Sequence, residues 1–146
     1  MKVAIGCDHA GLTLKNAVIE HLKQRGFEIN DCGTYDSASC HYPVFAQKVA
    51  EAVTSGDAEK GILVCGTGVG MSMAANKIKG IRAACVSDCF SAEATRAHND
   101  ANIVCFGQRV VGEGLALKIV DTFLDTKFEG GRHQIRIDMV NELDNK

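Results

Sequence analysis

Apolar runs of strand length alternate along the chain with longer stretches in which apolar residues recur every three or four positions. The short runs predict β-strands, and the longer stretches predict helices with one buried face. In Leu12–Arg25, for example, Leu14, Val18 and Leu22 share a face, and Gly26 favours a helix end. The predicted strands are Val3–Ile5, Phe27–Asp31, Gly61–Val64, Ile81–Val86 and Asn102–Phe106.

Helices are predicted between these strands. Pro43 occupies a favoured first-turn position of a helix that runs to about Val53, and the others are Gly70–Lys77, Ser87 or Asp88 to His98, and Leu115–Leu124. Strands separated by helices predict a parallel sheet covered on both faces, with right-handed crossovers. Neither a linker nor an internal repeat divides the 146 residues, so we expect one domain over residues 1–146.

Composition narrows the class of protein. Apolar residues make up 46% of the chain and charged residues 23%, as in ordinary globular proteins. The net charge of −2 does not favour a nucleic-acid partner. The first apolar run ends at Asp8 and is too short for a signal sequence or a membrane span. We therefore expect a cytoplasmic protein that binds neither nucleic acid nor membrane.

The seven cysteines argue against a disulfide framework, because their number is odd and no C-x-x-C motif occurs. Cys85 and Cys105 stand inside apolar runs, and we expect both to be small core residues. Cys85 and Cys89 are four positions apart, but no second Cys or His pair follows at a zinc spacing. The sequence therefore predicts no metal site.

Ligands of a parallel α/β sheet bind at the carboxyl ends of its strands. One predicted strand ends at a glycine-rich turn, VCGTGVGMS, in which Gly66, Gly68 and Gly70 can direct backbone N–H groups at one spot. Such a turn suits an anion or an oxyanion. Two alternatives are a dinucleotide site, with Asp88 as the ribose-binding acid, and a purely structural turn.

Cys65 precedes this turn at a strand end, beside a predicted helix N-terminus, where thiolates are stabilised. It is a candidate nucleophile or general base, and the alternative is a buried core cysteine. Asp8 and His9 end the first strand and could hold hydroxyl groups and move protons. Asp8 could equally cap the following helix.

His98 lies about ten residues along its predicted helix, roughly 15 Å from the carboxyl edge of the sheet. It is either a helix C-cap or a residue that serves a neighbouring subunit. Arg132 and Arg136 are four apart, so in a helix they share a face and, with His133, could hold a dianion. The alternative is a solvated charged face.

The segments GCDHAG, CGTGVGMS, TRAHNDANI and GGRHQIRI, in this order, resemble the ribose-5-phosphate isomerase B and galactose-6-phosphate isomerase family from Lys2 to about Asn141. The resemblance implies a doubly wound, three-layer α/β/α (Rossmann-like) fold with a five-stranded parallel sheet. It also implies interconversion of phosphorylated aldoses and ketoses without metal or organic cofactor. It implies a homodimer with shared active sites and leaves a tetramer open.

The resemblance also implies roles for individual residues. Cys65 matches the catalytic base, and His98 matches the acid/base that opens the sugar ring, with assistance from Asp8. Asp8 and His9 match substrate contacts. The loop that holds the enediolate region matches Gly66, Thr67, Gly68, Val69 and Gly70. The remaining substrate and phosphate contacts match Asn99, Arg109, Arg132 and Arg136, the last two in a C-terminal arm of residues 129–146.

These features favour an isomerase that converts ribose 5-phosphate into ribulose 5-phosphate through a cis-enediolate. An isomerase of hexose 6-phosphates, such as allose or galactose 6-phosphate, is the nearest alternative. A non-catalytic module that binds a nucleotide or sugar phosphate is the alternative from another class.

Overall fold

The computed structural model describes residues 1–146, which form five β-strands and six α-helices. The strands are β1 (Lys2–Cys7), β2 (Glu28–Asp31), β3 (Lys60–Cys65), β4 (Ala83–Cys85) and β5 (Ile103–Gly107). The helices are α1 (Leu12–Gln24), α2 (Tyr42–Thr54), α3 (Val69–Ala75), α4 (Cys89–Ala97), α5 (Glu113–Asp125) and α6 (Arg132–Glu142).

All strands pair in parallel, in the order β2-β1-β3-β5-β4. After β1 the chain moves to one side of the sheet to form β2, and it then crosses to the other side to form β3. The order therefore reverses between β1 and β3, and this is the point where doubly wound sheets bind their ligands. The sheet confirms the predicted fold class.

Apolar faces of the helices cover both sides of the sheet. On one side α1, α4 and α5 pack against the strands, and on the other side α2 and α3 do so. The stripe of Leu14, Val18 and Leu22 predicted for α1 is buried in the first of these layers. The three layers follow from burial of apolar surface on both faces, as the alternating pattern predicts.

The edge strand β4 is shorter than the predicted Ile81–Val86. The side-chain amide of Asn76 accepts a hydrogen bond from the Ala83 N–H and donates one to the Ala83 carbonyl, in place of a neighbouring strand. Cys85 at the end of β4 is exposed, so its prediction as a core residue is wrong. Cys105 lies in β5, between β3 and β4, and is buried as predicted.

A buried lysine ties α1 to the segment that follows β2. Lys15 is fully buried, and its ammonium group lies 2.6 Å from a carboxylate oxygen of Asp31 and 2.8 Å from the Thr34 carbonyl oxygen. Burial of a charge is tolerated only where it is paired and hydrogen-bonded, as it is here. The amphipathic pattern of α1 does not predict this contact. None of the helices is both long enough and apolar enough to cross a membrane.

Candidate active site

Three neighbouring strands deliver polar residues to one edge of the sheet. Cys65 is the last residue of β3, Asp8 follows β1, and Arg109 follows β5. The Asp8 N–H donates to the Val64 carbonyl at 3.2 Å, and the Arg109 N–H donates to the Gly66 carbonyl at 3.1 Å. Backbone hydrogen bonds thus hold the three segments together. We call residues 8, 9, 65–70 and 109 the sheet-edge group.

A backbone N–H points directly at the Cys65 sulfur. The Gly68 N–H donates to Cys65 Sγ at 3.0 Å. Gly68 has a φ of 84°, a left-handed conformation that residues with side chains rarely adopt. A Cβ at this position would lie 2.7 Å from Phe106 Cα, so the turn also requires the space that glycine leaves.

Cys65 differs from the other cysteines in this contact. It is the only one whose sulfur accepts a hydrogen bond from a backbone N–H. Burial raises the pKa of Cys7 to about 11, and it raises the pKa of Cys85 and that of Cys105. Those three thiols therefore stay protonated at neutral pH. The contact from Gly68 instead holds the Cys65 sulfur at the start of the glycine loop, where a nucleophile or base would act on a ligand.

The loop after Cys65 leads directly into α3. The Val69 N–H donates to the Thr67 hydroxyl at 3.2 Å. The first N–H groups of a helix have no partner within it, so that of Gly70 is left for a ligand. A Cβ on Gly70 would lie 2.8 Å from the ring of Tyr42, which shows how closely α2 approaches the loop. The loop can therefore stabilise a developing oxyanion beside the thiol.

Asp8 caps the short 3₁₀ turn His9–Gly11 that follows β1, and not α1, whose N-cap is Gly11, so its prediction as the cap of that helix is wrong. Its Oδ1 accepts the Ala10 N–H at 2.9 Å, while Oδ2 makes no hydrogen bond. His9 is exposed, and its Nδ1 accepts the Cys40 N–H at 3.3 Å. Because Nδ1 is an acceptor, the neutral ring carries its proton on Nε2 and can donate it to a ligand.

A second set of predicted residues lies at the opposite edge of the sheet. His98 is the C-cap of α4, Asn99 follows it, and Arg132 and Arg136 occupy the first two turns of α6. We call these four residues the arm group. The nine residues of α4 carry His98 about 13 Å away from the carboxyl ends of the strands. The prediction that His98 lies away from the Cys65 edge is confirmed.

The six arginines of the chain divide into two sets. Arg25, Arg82 and Arg96 each form an ion pair within the chain. The side chains of Arg109, Arg132 and Arg136 form neither ion pairs nor hydrogen bonds, and all three are exposed. The three arginines predicted to contact a phosphate are therefore those whose guanidinium groups are available.

No element of one chain bridges the sheet-edge group and the arm group. A cavity of about 510 Å³ lies beneath α6, lined by residues such as Arg82, Asn99 and Ile137, and it does not include Cys65. Cys65 is buried, with 6% of its surface exposed, and it packs in the layer that contains α2 and α3. The arm group belongs to a separate part of the molecule.

Asp88 is not available as the ribose-binding acid of a dinucleotide site. Its carboxylate accepts hydrogen bonds from the Ser91 N–H at 2.6 Å and from the Ser91 hydroxyl at 2.9 Å. Asp88 is therefore the N-cap of α4. Both oxygens are used within the chain, which removes the acid that a ribose-binding site would need.

Two features of the surroundings could not be predicted from motif spacing. The Cys40 N–H fixes the tautomer of His9, although the two residues are 31 positions apart. Both Glu129 and His133 contact His98. These contacts form only because the chain turns back at Gly130 and Gly131. Neither contact lies within an element whose periodicity could indicate it.

Comparison with known proteins agrees with this geometry. The sequence matches the model of the Ribose/Galactose Isomerase family over residues 3–140. It is 49% identical to ribose-5-phosphate isomerase B of Escherichia coli, with 99% of this chain and 97% of that protein covered. A ribose-5-phosphate isomerase B structure from Clostridium thermocellum superposes with a TM-score of 0.98 at 51% identity, with 99% and 98% of the two chains covered.

A further structure carries a bound sugar phosphate. Ribose-5-phosphate isomerase B of Mycoplasma genitalium, solved with ribulose 5-phosphate, superposes with a TM-score of 0.94 at 46% identity, with 99% and 97% of the two chains covered. The parallel α/β fold, with a thiol and a glycine loop at its carboxyl edge, is thus that of an isomerase. The chain belongs to the ribose/galactose isomerase family, which confirms the resemblance seen in its motifs.

The close packing of Gly68 against the backbone of Phe106 gives a prediction about stability. We expect Gly68→Ala to lower the free energy of unfolding by about 2–5 kcal/mol, since left-handed strain and overpacking against Phe106 add. Gly56→Ala is the matched control, because Gly56 has a φ of 85° but no atom within 4 Å of an added Cβ. It should cost only about 1–2 kcal/mol. Urea unfolding measures both, and equal losses would contradict the packing argument.

Proposed function

We propose that this chain interconverts ribose 5-phosphate and ribulose 5-phosphate by general-base proton transfer. The observation that carries the proposal is the Cys65 thiol, held by the Gly68 N–H at the edge where such sheets bind ligands. Relatives named as ribose-5-phosphate isomerases over nearly the whole chain support the pentose substrate over a hexose phosphate.

The reaction moves a proton between two neighbouring carbons. The Cys65 thiolate removes the proton from C2 of the open-chain aldose, and the electron pair of the C–H bond forms the C1–C2 double bond of a cis-enediolate. The aldehyde oxygen on C1 takes up the negative charge. The N–H groups of the Gly66–Gly70 loop that have no partner within the chain, such as that of Gly70, stabilise it together with Thr67. The C2 hydroxyl proton then passes to the C1 oxygen, which becomes the C1 hydroxyl. The electron pair of the C1–C2 double bond takes the proton back from the Cys65 thiol at C1, and the C2 oxygen becomes the ketone.

Ribose 5-phosphate is mainly a closed ring, so a second acid/base pair must open it first. In the proposal His98 donates a proton to the ring oxygen, and the free Oδ2 of Asp8 accepts one from the anomeric hydroxyl. A positioned proton donor of this kind contributes about 10²–10⁴-fold in rate. Asn99 contacts sugar hydroxyl groups beside His98.

The phosphate supplies anchoring rather than chemistry. Arg109, Arg132 and Arg136 have guanidinium groups that no acid of the chain engages, and His9 offers its Nε2–H. Charge-assisted hydrogen bonds contribute about 1.5–3 kcal/mol each. Binding energy from this non-reacting group can hold C1 and C2 against the thiol.

We further propose that each site is shared between two copies of the chain in a homodimer. The sheet-edge group of one copy and the arm group of the other would form one site, since the two groups lie at opposite edges of a single chain. The exposed apolar side chains of Met73, Phe90, Ile135 and Met139 support such a contact. Residues 129–146 would then act as an arm that reaches the partner.

We also infer a reducing compartment, the cytoplasm. All seven cysteines are free thiols in the structure. The proposed chemistry requires one of them, Cys65, to remain reduced.

Hydrogen exchange separates the two proposed proton transfers. Ribulose 5-phosphate cannot form a five-membered ring, because its 5-hydroxyl carries the phosphate, so exchange of its C1 hydrogen in D₂O needs no ring opening. We expect Cys65→Ala to abolish this exchange. His98→Ala should leave the exchange within about threefold of wild type, while it lowers isomerisation of ribose 5-phosphate by about 10²–10⁴-fold.

NMR of the C1 hydrogens measures the exchange. Exchange at the wild-type rate in Cys65→Ala would overturn the assignment of Cys65 as the base. Equal losses of exchange and of isomerisation in His98→Ala would overturn the assignment of His98 to ring opening alone. Cys32→Ala is the matched control, because this thiol lies outside both groups and should change neither rate.

The phosphate contact gives a second prediction. We expect Arg136→Ala to raise KM about 10- to 100-fold, with a smaller change in kcat, because one charge-assisted contact to a non-reacting group is lost. Its affinity for inorganic phosphate, measured by calorimetry, should fall in parallel. Arg25→Ala removes an arginine that is paired with Asp121 and Asp125 and should leave KM unchanged. An unchanged phosphate affinity in Arg136→Ala would favour a solvated charged face.

A further inference from the structure

Two histidines and a glutamate form a cluster at the end of α4 that the proposed reaction does not use as a unit. The rings of His98 and His133 stack with centroids 4.4 Å apart and an interplanar angle of 15°. Glu129 Oε1 lies 3.5 Å from Nε2 of His133 and 3.9 Å from Nε2 of His98. One potential ligand atom from each residue thus lies within 4.8 Å of the other two.

The backbone builds this cluster from two distant segments. The Glu129 N–H donates to the carbonyl of Ala97 at 3.0 Å, which attaches the segment before α6 to the end of α4. Gly130 and Gly131 then adopt φ angles of 68° and 56°, and the chain turns back. The His133 N–H donates to the Gly130 carbonyl at 3.0 Å. The contact between the two rings is therefore set by the fold.

The ligand set and its spacing suit a zinc ion. Zn²⁺ takes imidazole nitrogen and carboxylate oxygen in tetrahedral sites, and bonds of about 2.05 Å place ligand atoms about 3.4 Å apart. The two separations from Glu129 Oε1, 3.5 Å to His133 Nε2 and 3.9 Å to His98 Nε2, are close to that value. The two imidazole rings would turn out of their stack to direct both nitrogens at one ion. His98 and Glu129 are exposed, so their side chains can tilt towards a common ion. The fourth position would remain open to water.

Charged groups on the neighbouring elements also act on a bound cation. The charged and titratable groups around His133 are His98, Glu129, Arg132 and Arg136. The two arginines oppose a cation, and the Glu129 carboxylate offsets part of that repulsion.

We propose that His98, Glu129 and His133 form an inhibitory binding site for a divalent transition-metal ion, for which Zn²⁺ is the best fit. The ion occupies the nitrogen lone pair through which His98 would exchange protons with the sugar. The inhibitory role rests on the proposed function of His98. The metal site itself rests only on the cluster.

Metal titration tests the site without reference to the reaction. Zn²⁺ affinity is measured by chelator competition, and the Co²⁺ complex is examined by absorption spectroscopy, which reveals thiolate ligands by an intense charge-transfer band. We expect Glu129→Gln and His133→Asn to weaken binding about 10- to 100-fold. The control Asp138→Asn, on the same helix but hydrogen-bonded to Gln134, should bind as wild type does. Unchanged affinity in both cluster variants, or a thiolate band, would overturn the site.

The inhibitory role is tested by the two reactions of the wild-type protein. Zn²⁺ should slow isomerisation of ribose 5-phosphate and spare C1 hydrogen exchange of ribulose 5-phosphate. Glu129→Gln should keep its basal turnover and resist the metal. Equal inhibition of both reactions would place the ion at Cys65, and binding without inhibition would remove the regulatory role. Because the titration does not depend on turnover, failure of the proposed function and failure of the metal site give different results.

Discussion

The hydrogen bond from the Gly68 N–H to the Cys65 sulfur is the contact on which the rest of the site depends. It is possible because residue 68 takes a left-handed conformation against the backbone of Phe106, which only glycine can do without strain or collision. The contact fixes the thiol, begins α3 at Val69 and leaves the Gly70 N–H free. A central strand, a turn and the start of a helix thus meet around one sulfur atom. The proposed base therefore lies beside the proposed oxyanion site.

The same topology that builds this edge places the arm group away from it, so a single chain would not complete the proposed site. A helix that follows a parallel strand must run back along the sheet, so residues at its end lie far from the carboxyl edge. His98 and Asn99 end α4, and Arg132 and Arg136 follow in α6. The three arginines without internal partners are divided between the two edges. A second copy of the chain is the simplest way to bring both sets of groups to one sugar phosphate.

Much of this arrangement could be predicted from the sequence. The alternation of apolar runs and amphipathic stretches predicts the strands and helices, and the strand ends indicate Asp8, Cys65 and Arg109. Counting residues along α4 predicts that His98 lies away from that edge. These predictions succeed because they depend on local periodicity and on the fixed rise of a helix.

The failures have a physical cause as well. The burial of Cys85 was wrongly predicted because an apolar run does not reveal which strand forms the edge of a sheet. Asp88 could be an N-cap or a ribose-binding acid until the contacts of both its oxygens with Ser91 were known. The stack of His98 on His133 depends on a turn at two glycines and on a backbone contact between Glu129 and Ala97. Such contacts join distant segments and leave no periodic signal.

Complementation between two inactive variants tests the shared site most directly. Cys65→Ala and His98→Ala are co-expressed with different tags, and the heterodimer is purified and assayed for isomerisation of ribose 5-phosphate. If each site takes Cys65 from one copy and His98 from the other, one site of the heterodimer carries both substitutions and the other carries neither. The purified heterodimer should then regain about half of wild-type activity, or about a quarter in a random mixture. A verified heterodimer that stays inactive would contradict the shared site.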